Sequence, residues 1–362
     1  MKNAIYSVLL LFALTGCIER YYPQTEGIES ILVVEGIITN GTTQIALSYS
    51  VGLDININKI YTENQATIYV ECEDGTTSAM TCSSGDGIYL IETGELNAGA
   101  KYRLVIQLAG EEYHSRYITP AITPPVDVTY IHDPINNSMN ICVSTSGNDN
   151  QPGYYLWSYK EDWEVHAFVY EEFWSITFWD KNTGKFVTEV FHNDLTSPNN
   201  VYYCWKADSS RVFLLGTTEK ISENSIRERE IKSFKCFDNR LSVLYRMKIR
   251  QNTLNKEGYD YFENLKKNAE QTGNLFGSIP SELMGNIRCV SNPAIPVIGY
   301  VDVSTTTTDE LYLTDKYYDW RNRDEQIREC GGEYAQDLFF YCRDCTDYGT
   351  KRKPKDWPND HQ

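Results

Sequence analysis

Apolar and polar positions alternate with a period of two along most of the chain, as expected of strands that bury one face. The run 31–38 is apolar and β-branched, closes on the hairpin signal Asn40-Gly41, and is followed by alternation through Ile45, Leu47 and Tyr49. Residues 66–72 with Asp74-Gly75 predict a second hairpin, and 87–92 and 102–108 predict further strands separated by turn residues. Three prolines in 120–125 leave too few backbone donors for a central strand and mark a linker. Beyond it Tyr155, Trp157 and Tyr159 alternate with polar or opposite-facing residues, and the same face continues to Trp163 and Val165. A hairpin is predicted from 175–179 and 185–191 around Asn182-Thr183-Gly184, and Leu241, Val243, Tyr245, Met247 and Ile249 hold the period of two.

One segment breaks this rhythm. Over 254–272, Tyr259, Phe262, Leu265 and Ala269 fall on one helical face, with charged residues opposite and Gly273 where a helix would stop. Such a stripe is read as a cover packed on a sheet. After it, 280–287 reads as loop, 297–303 as a strand and 305–308 as a threonine-rich turn. The expected fold is mostly β: tandem immunoglobulin/fibronectin-like β-sandwich modules with one packed amphipathic helix in the second half. The expected organisation is a leader at 1–16, a tether at 17–27, a first sandwich at 28–119, the linker at 120–125 and a β-rich domain at 126–362 with the helix and a cysteine-containing tail. Residues 96–104, centred on Tyr102, resemble a sandwich corner in which a tyrosine hydroxyl ties the turn to an upstream backbone group. A plain strand tyrosine is the alternative.

The amino end adds a compartment. Lys2 is the only charge in the first sixteen residues, and the apolar run 4–14 suits a leader core and is too short to span a bilayer. Leu14-Thr15-Gly16-Cys17 then matches a lipobox, with cleavage after Gly16 and acylation of Cys17. The competing reading is an ordinary secretory leader with a chance cysteine. Several acyl chains at about 0.8 kcal/mol per buried methylene make such an anchor effectively permanent. Only Glu19 stands in the acidic window after Cys17, followed by Arg20, so the face of the membrane stays open.

Composition narrows the classes further. The 362 residues are 41% hydrophobic and 13% aromatic with a mean hydropathy of −0.45, which excludes a polytopic helical membrane protein and a disordered chain. The net charge is −17, and cleavage removes the one positive charge of Lys2 to leave −18. Nucleic acid is disfavoured as a partner. The five histidines lie far apart, and there is no nucleophile elbow, phosphate loop or calcium loop. Acidic neighbours such as Glu161 and Asp162 should point to opposite faces of a strand, so no cofactor, metal or catalytic residue is expected.

Nine cysteines remain beside Cys17, in a compartment that favours disulfides. Cys72 with Cys82 across a hairpin, Cys204 with Cys236, and Cys330 with Cys342 or Cys345 are the candidate pairs. A zinc site from Cys330, Cys342, Cys345 and His361, or a redox dithiol at Cys342-x-x-Cys345, are weaker alternatives, because a second close ligand pair and a following helix are missing. Tyrosine and tryptophan number 27 and 7, and are dense from 154 to 179. Tyr155, Trp157, Tyr159 and Trp163 are therefore the candidate ligand-facing aromatics, with ordinary core packing as the alternative.

Several local motifs occur together: the lipobox followed by Tyr21-Tyr22-Pro23, Leu32-Val33-Val34-Glu35-Gly36, Tyr155-x-Trp157, Cys204-Trp205, Gly285-Asn286-Ile287 with Val297-Ile298-Gly299-Tyr300, and Cys342-x-x-Cys345 ahead of Lys353-Pro354-Lys355-Asp356-Trp357. On these the chain resembles, nearly end to end, the Bacteroidota lipoproteins grouped as domain of unknown function 4249. The family usually carries adjacent cysteines before the last one, whereas this chain has Tyr341-Cys342-Arg343-Asp344-Cys345. The resemblance implies an outer-membrane lipoprotein encoded near TonB-dependent receptors, with an accessory role in transport and no catalytic residues to carry over. The expected function is a non-enzymatic, outer-membrane-anchored binding protein working with a TonB-dependent β-barrel receptor in nutrient uptake. A surface hydrolase acting on glycan or peptide, and an adhesin-like structural protein, are the alternatives.

Overall fold

The computed structural model describes residues 30–50, 61–83, 85–147, 151–170, 172–197, 200–221, 223–271, 285–319 and 342–358. The leader, Gly16, Cys17 and the tether lie outside this set, as do Cys330, His361 and Gly273. Among the described residues no helix is long and apolar enough to cross a membrane.

The first module is built from β1 (Leu32–Ile38), β2 (Gly41–Tyr49), β3 (Tyr61–Thr62), β4 (Thr67–Cys72), β5 (Thr77–Ser83), β6 (Ile88–Gly94), β7 (Tyr102–Leu108) and β8 (Glu111–Ser115). The hairpins predicted at Asn40-Gly41 and Asp74-Gly75 are both present. The Tyr102 hydroxyl accepts the Asn97 backbone N–H at 2.9 Å, so the corner is tied upstream as its sequence suggests. Alternating residues such as Val34, Ile45, Leu47, Ile68, Ile91, Leu104 and Ile106 fill one buried core.

This module does not end at 119. Two strands from beyond the linker complete it: β18 (Ile287–Cys289) pairs with β8, and β19 (Val297–Val303) pairs parallel with β1. The sheet thus runs β18-β8-β7-β4-β5-β6-β2-β1-β19, with β3 beside β2. Its two ends meet where the Asn286 side chain imitates a strand. Its Nδ2 donates to the Val301 carbonyl at 2.8 Å and its Oδ1 accepts the Val301 N–H at 2.9 Å. A Cβ at Gly285 would fall on the Gly299 carbonyl oxygen, so this closure requires glycine at 285.

The second module is a sandwich of two sheets. One holds β9 (Val126–Asp133), β10 (Ser138–Ser146) and β16 (Ser225–Lys235). The other holds β11 (Tyr154–His166), β14 (Tyr203–Ser209), β15 (Leu214–Thr217), β17 (Leu244–Thr253) and β20 (Thr306–Thr314). Met139, Ile141 and Val143 pack against Trp157, Tyr245, Met247 and Ile249 between them. The hairpin of β12 (Phe173–Asp180) and β13 (Lys185–His192) pairs with neither sheet.

Residues 120–125 are fixed rather than free. Ala121 donates to the Val303 carbonyl, Thr123 N–H donates to the Thr305 hydroxyl, and the Thr253 N–H donates to the Thr123 hydroxyl. The predicted helix, α1 (Lys256–Gln271), wedges between the modules. Tyr259, Tyr261 and Phe262 pack with Ile37 and Tyr300 on one side and with Leu156 and Leu215 on the other. Asn255 caps it by accepting the Gly258 N–H at 2.8 Å. The side chain of Ala269 lies outside the described residues.

Candidate functional site

The four aromatics expected to face a ligand do share one face of β11, but it is the inner one. Tyr155 and Trp157 are 1% exposed and Trp163 is 6% exposed, while Tyr159 is half-buried. The period of two states which residues share a face and not which face the second sheet covers; β9, β10 and β16 cover this one. Trp157 Nε1 donates to Gln251 Oε1 at 2.6 Å, which satisfies its polar atom inside the core. Glu161 follows on the same face, fully buried. It accepts from Lys232 Nζ at 2.8 Å, Tyr245 Oη at 2.7 Å and Arg240 Nε at 3.4 Å, and Arg240 lies 4.5 Å above the Trp163 ring. Glu161 and Asp162 point to opposite faces, as their adjacency predicts. These contacts hold the sandwich together.

Cys204 pairs differently from the expectation, while the candidate pair of Cys330 with Cys342 falls outside the described residues. Cys204 bonds Cys345, so neither Cys204 with Cys236 nor Cys330 with Cys345 occurs. Cys342 is disulfide-bonded as well, to a partner outside the described residues. Both cysteines are thereby removed from the zinc and dithiol readings, and no metal-holding group occurs among the described residues. Cys72 is a free buried thiol, as are Cys142, Cys236 and Cys289. Cys72 sits at the turn end of the β4–β5 hairpin, where its N–H meets Thr76, whereas Cys82 lies far along β5 opposite Leu90. Cys82 lies six positions along the strand from Thr76, about 20 Å, which no disulfide spans.

The Cys204–Cys345 bridge lies within the core of the sandwich and anchors a strap whose later residues reach the outer face of the five-stranded sheet. Trp205 and Thr350 exchange both backbone hydrogen bonds at 2.8 Å. Trp357 then covers the sheet, donating from Nε1 to the fully buried Glu164 at 3.0 Å. Arg246 reaches over its ring to the Lys355 and Asp356 carbonyls while pairing with Asp162 at 2.7 Å.

Among the described residues, two surfaces stand apart from this packing. The first is the β12–β13 hairpin, whose exposed residues include large apolar side chains on both faces. Phe173, Trp179, Phe186 and Val190 are 60%, 52%, 72% and 69% exposed. Trp179 meets Phe186 edge-on at 5.0 Å across the pair on one face, and Phe178 sits opposite Val187 on the other. The second is a cleft of about 640 Å³ between the modules. Its floor is the outer face of β11, β17 and β20, including Ser158, Lys160, Lys248, Arg250 and Thr308, and its wall is β1 and β2 with Glu35 and Gln44. Phe213 and Phe262 close one end.

The sequence reading missed the cleft. A signal was present, because Arg246, Lys248, Arg250 and Asn252 alternate with the apolar positions of β17 and make a cationic second face. What period two lacks is the information that another module lies opposite.

Residues 18–310 match the family model described as a domain of unknown function, DUF4249. No curated protein matches the chain. The match spans well over half of the sequence, including the closing strands β18 and β19, and the chain belongs to the DUF4249 family.

Proposed function

We propose that this protein is a non-enzymatic binding protein, held at the outer membrane through an acylated Cys17, that works with a TonB-dependent β-barrel receptor in nutrient uptake. The observation that carries the reading is the β12–β13 hairpin. A lone two-stranded hairpin is marginal in water, and this one exposes aromatics on both faces. Each such side chain gains about 1.5 to 3 kcal/mol when a partner covers it. Its two outer backbone edges are also unpaired with any other strand among the described residues, which suits strand addition by a β-rich partner. The lipobox and the −18 charge of the mature chain support a tethered domain held off an anionic bilayer. The buried carboxylates Glu161 and Glu164 each serve structural hydrogen bonds, which favours a binding role over acid–base chemistry.

The test is recovery of the native protein from detergent-solubilised outer membranes. A β-barrel receptor is expected in near-equimolar amount with the wild type and lost with a Trp179→Ser/Phe186→Ser double variant, whose exposed positions leave the thermal midpoint unchanged. Absence of any barrel from the wild-type preparation overturns the reading.

A further inference from the structure

Arg250 stands at the boundary of the two modules in an unusual electrostatic position. Among the described residues its buried Nε has no hydrogen-bond partner, and Nη2 reaches only the hydroxyls of Thr39 at 3.2 Å and Thr306 at 3.3 Å. Arg103, Arg240 and Arg246, also partly or wholly buried, each meet a carboxylate at hydrogen-bond distance. Arg250 meets none among the described residues. A guanidinium taken out of water without a counter-ion is costly, and burial pulls its hold on the proton below the usual range for arginine. The cost is relieved when an anion enters.

The surroundings fit that occupant. Lys160, exposed and without an ion pair among the described residues, and Lys248, which faces Glu310 at 3.5 Å, line the same cleft, against Glu35 as a lining carboxylate. In a chain of net charge −17, a cationic recess between low-dielectric walls concentrates anions. Gln44, Ser158 and Thr308 line it with hydrogen-bonding groups that make no side-chain bond among the described residues, and Phe213 offers a ring at one end. The volume of about 640 Å³ falls in the range of sites for small organic ligands.

We propose that the cleft between the modules binds a small hydroxylated oxyanion, a sugar-sized molecule carrying a carboxylate or phosphate, with the Arg250 fork gripping the anionic group. Lys160 supplies long-range attraction, the neutral polar groups meet hydroxyls, and the phenyl ring of Phe213 packs on the ligand's apolar face. The inference does not rest on the receptor partnership, since it requires only the cleft.

Calorimetric titration of the detergent-solubilised full chain at low salt tests it, using galacturonate, inorganic phosphate and neutral galactose as probes. Galacturonate or phosphate is expected to give saturable heat and galactose none; which of the two binds identifies the anionic group. Arg250→Gln is expected to weaken binding by about tenfold or more, the size typical of a charge-assisted pair, and to leave the thermal midpoint unchanged or higher because an unpaired charge is removed. Lys160→Gln, at an exposed position, is expected to weaken it by about threefold with folding untouched. No saturable heat from either anion, equal binding of galactose, or unchanged binding in Arg250→Gln overturns the proposal. Should Arg250→Gln fail to fold, unchanged binding in Lys160→Gln does so.

Discussion

Asp302 is fully buried where β19 meets the start of α1, and its carboxylate accepts from the Asn255 N–H, the Asn255 amide and the Val303 N–H, each at 2.9 Å. Burial outweighs these donors and pushes its pKa from 3.8 up to about 6. In the unfolded chain the group ionises at the lower value, so its contribution to stability is greatest below that pH. It is lost as pH rises through the window from 3.8 to about 6. Above the window the cost is about 3 kcal/mol. Urea unfolding of wild type and Asp302→Asn should therefore show the wild-type advantage shrinking by about 2 kcal/mol between pH 4.5 and 7. A pH-independent difference would contradict this. Asn286 tests the sheet closure at the same scale. Asn286→Ala leaves the Val301 N–H and carbonyl without their partner and should cost about 1 to 3 kcal/mol in the same assay.

Among elements, the strap from Cys345 to Trp357 covers apolar rings that the five-stranded sheet would otherwise expose. Trp205, Leu244 and Trp357 form a small core of their own under it. The bridge closes 141 residues, for which a chain-entropy account assigns about 5 kcal/mol at most. Replacing both Cys204 and Cys345 by serine should let a protease clip the tail from an otherwise folded protein and shift tryptophan emission to the red, with neither change in the wild type. The hairpins at Asn40-Gly41, Asp74-Gly75 and Asn182-Thr183-Gly184, the long strand from Tyr155 and α1 were legible in the sequence because each depends on local periodicity and turn residues; β9, β10, β14, β15 and β16 were not read, and the threonine run expected to be a turn at 305–308 instead opens β20. The pairing of Cys204 with Cys345 and the inward direction of Tyr155 and Trp157 were not legible. Both depend on which distant segment lies over a given face, and a period of two is blind to that. The motif residues Gly285, Asn286 and Gly299 were visible as a pattern, yet their role emerged only when the two sheet ends were seen to meet.

At the scale of the molecule, α1 and the pinned 120–125 segment join the two modules. Phe262 packs from the helix toward Phe213 at 5.3 Å, within the cluster that spans both modules. Phe262→Ala should cost about 3 to 5 kcal/mol, detected as an earlier transition on thermal unfolding. The tether is tested separately. Labelled palmitate should enter the wild-type product and not a Cys17→Ala form, which should be recovered away from the membrane. Equal labelling of both would remove the anchor on which the receptor partnership depends.

The parallel alignment of Leu32–Ile38 with Val297–Val303 has a consequence for biogenesis. Leu32 pairs with Val297 and Ile38 with Val303, so the first module cannot reach its native shape while most of the polypeptide is still being made. Until then an unsatisfied ladder of N–H and C=O groups and a half-formed oily interior are open to neighbouring molecules. Such delayed, long-distance zippering makes for slow maturation, and gives a chaperone something definite to shield.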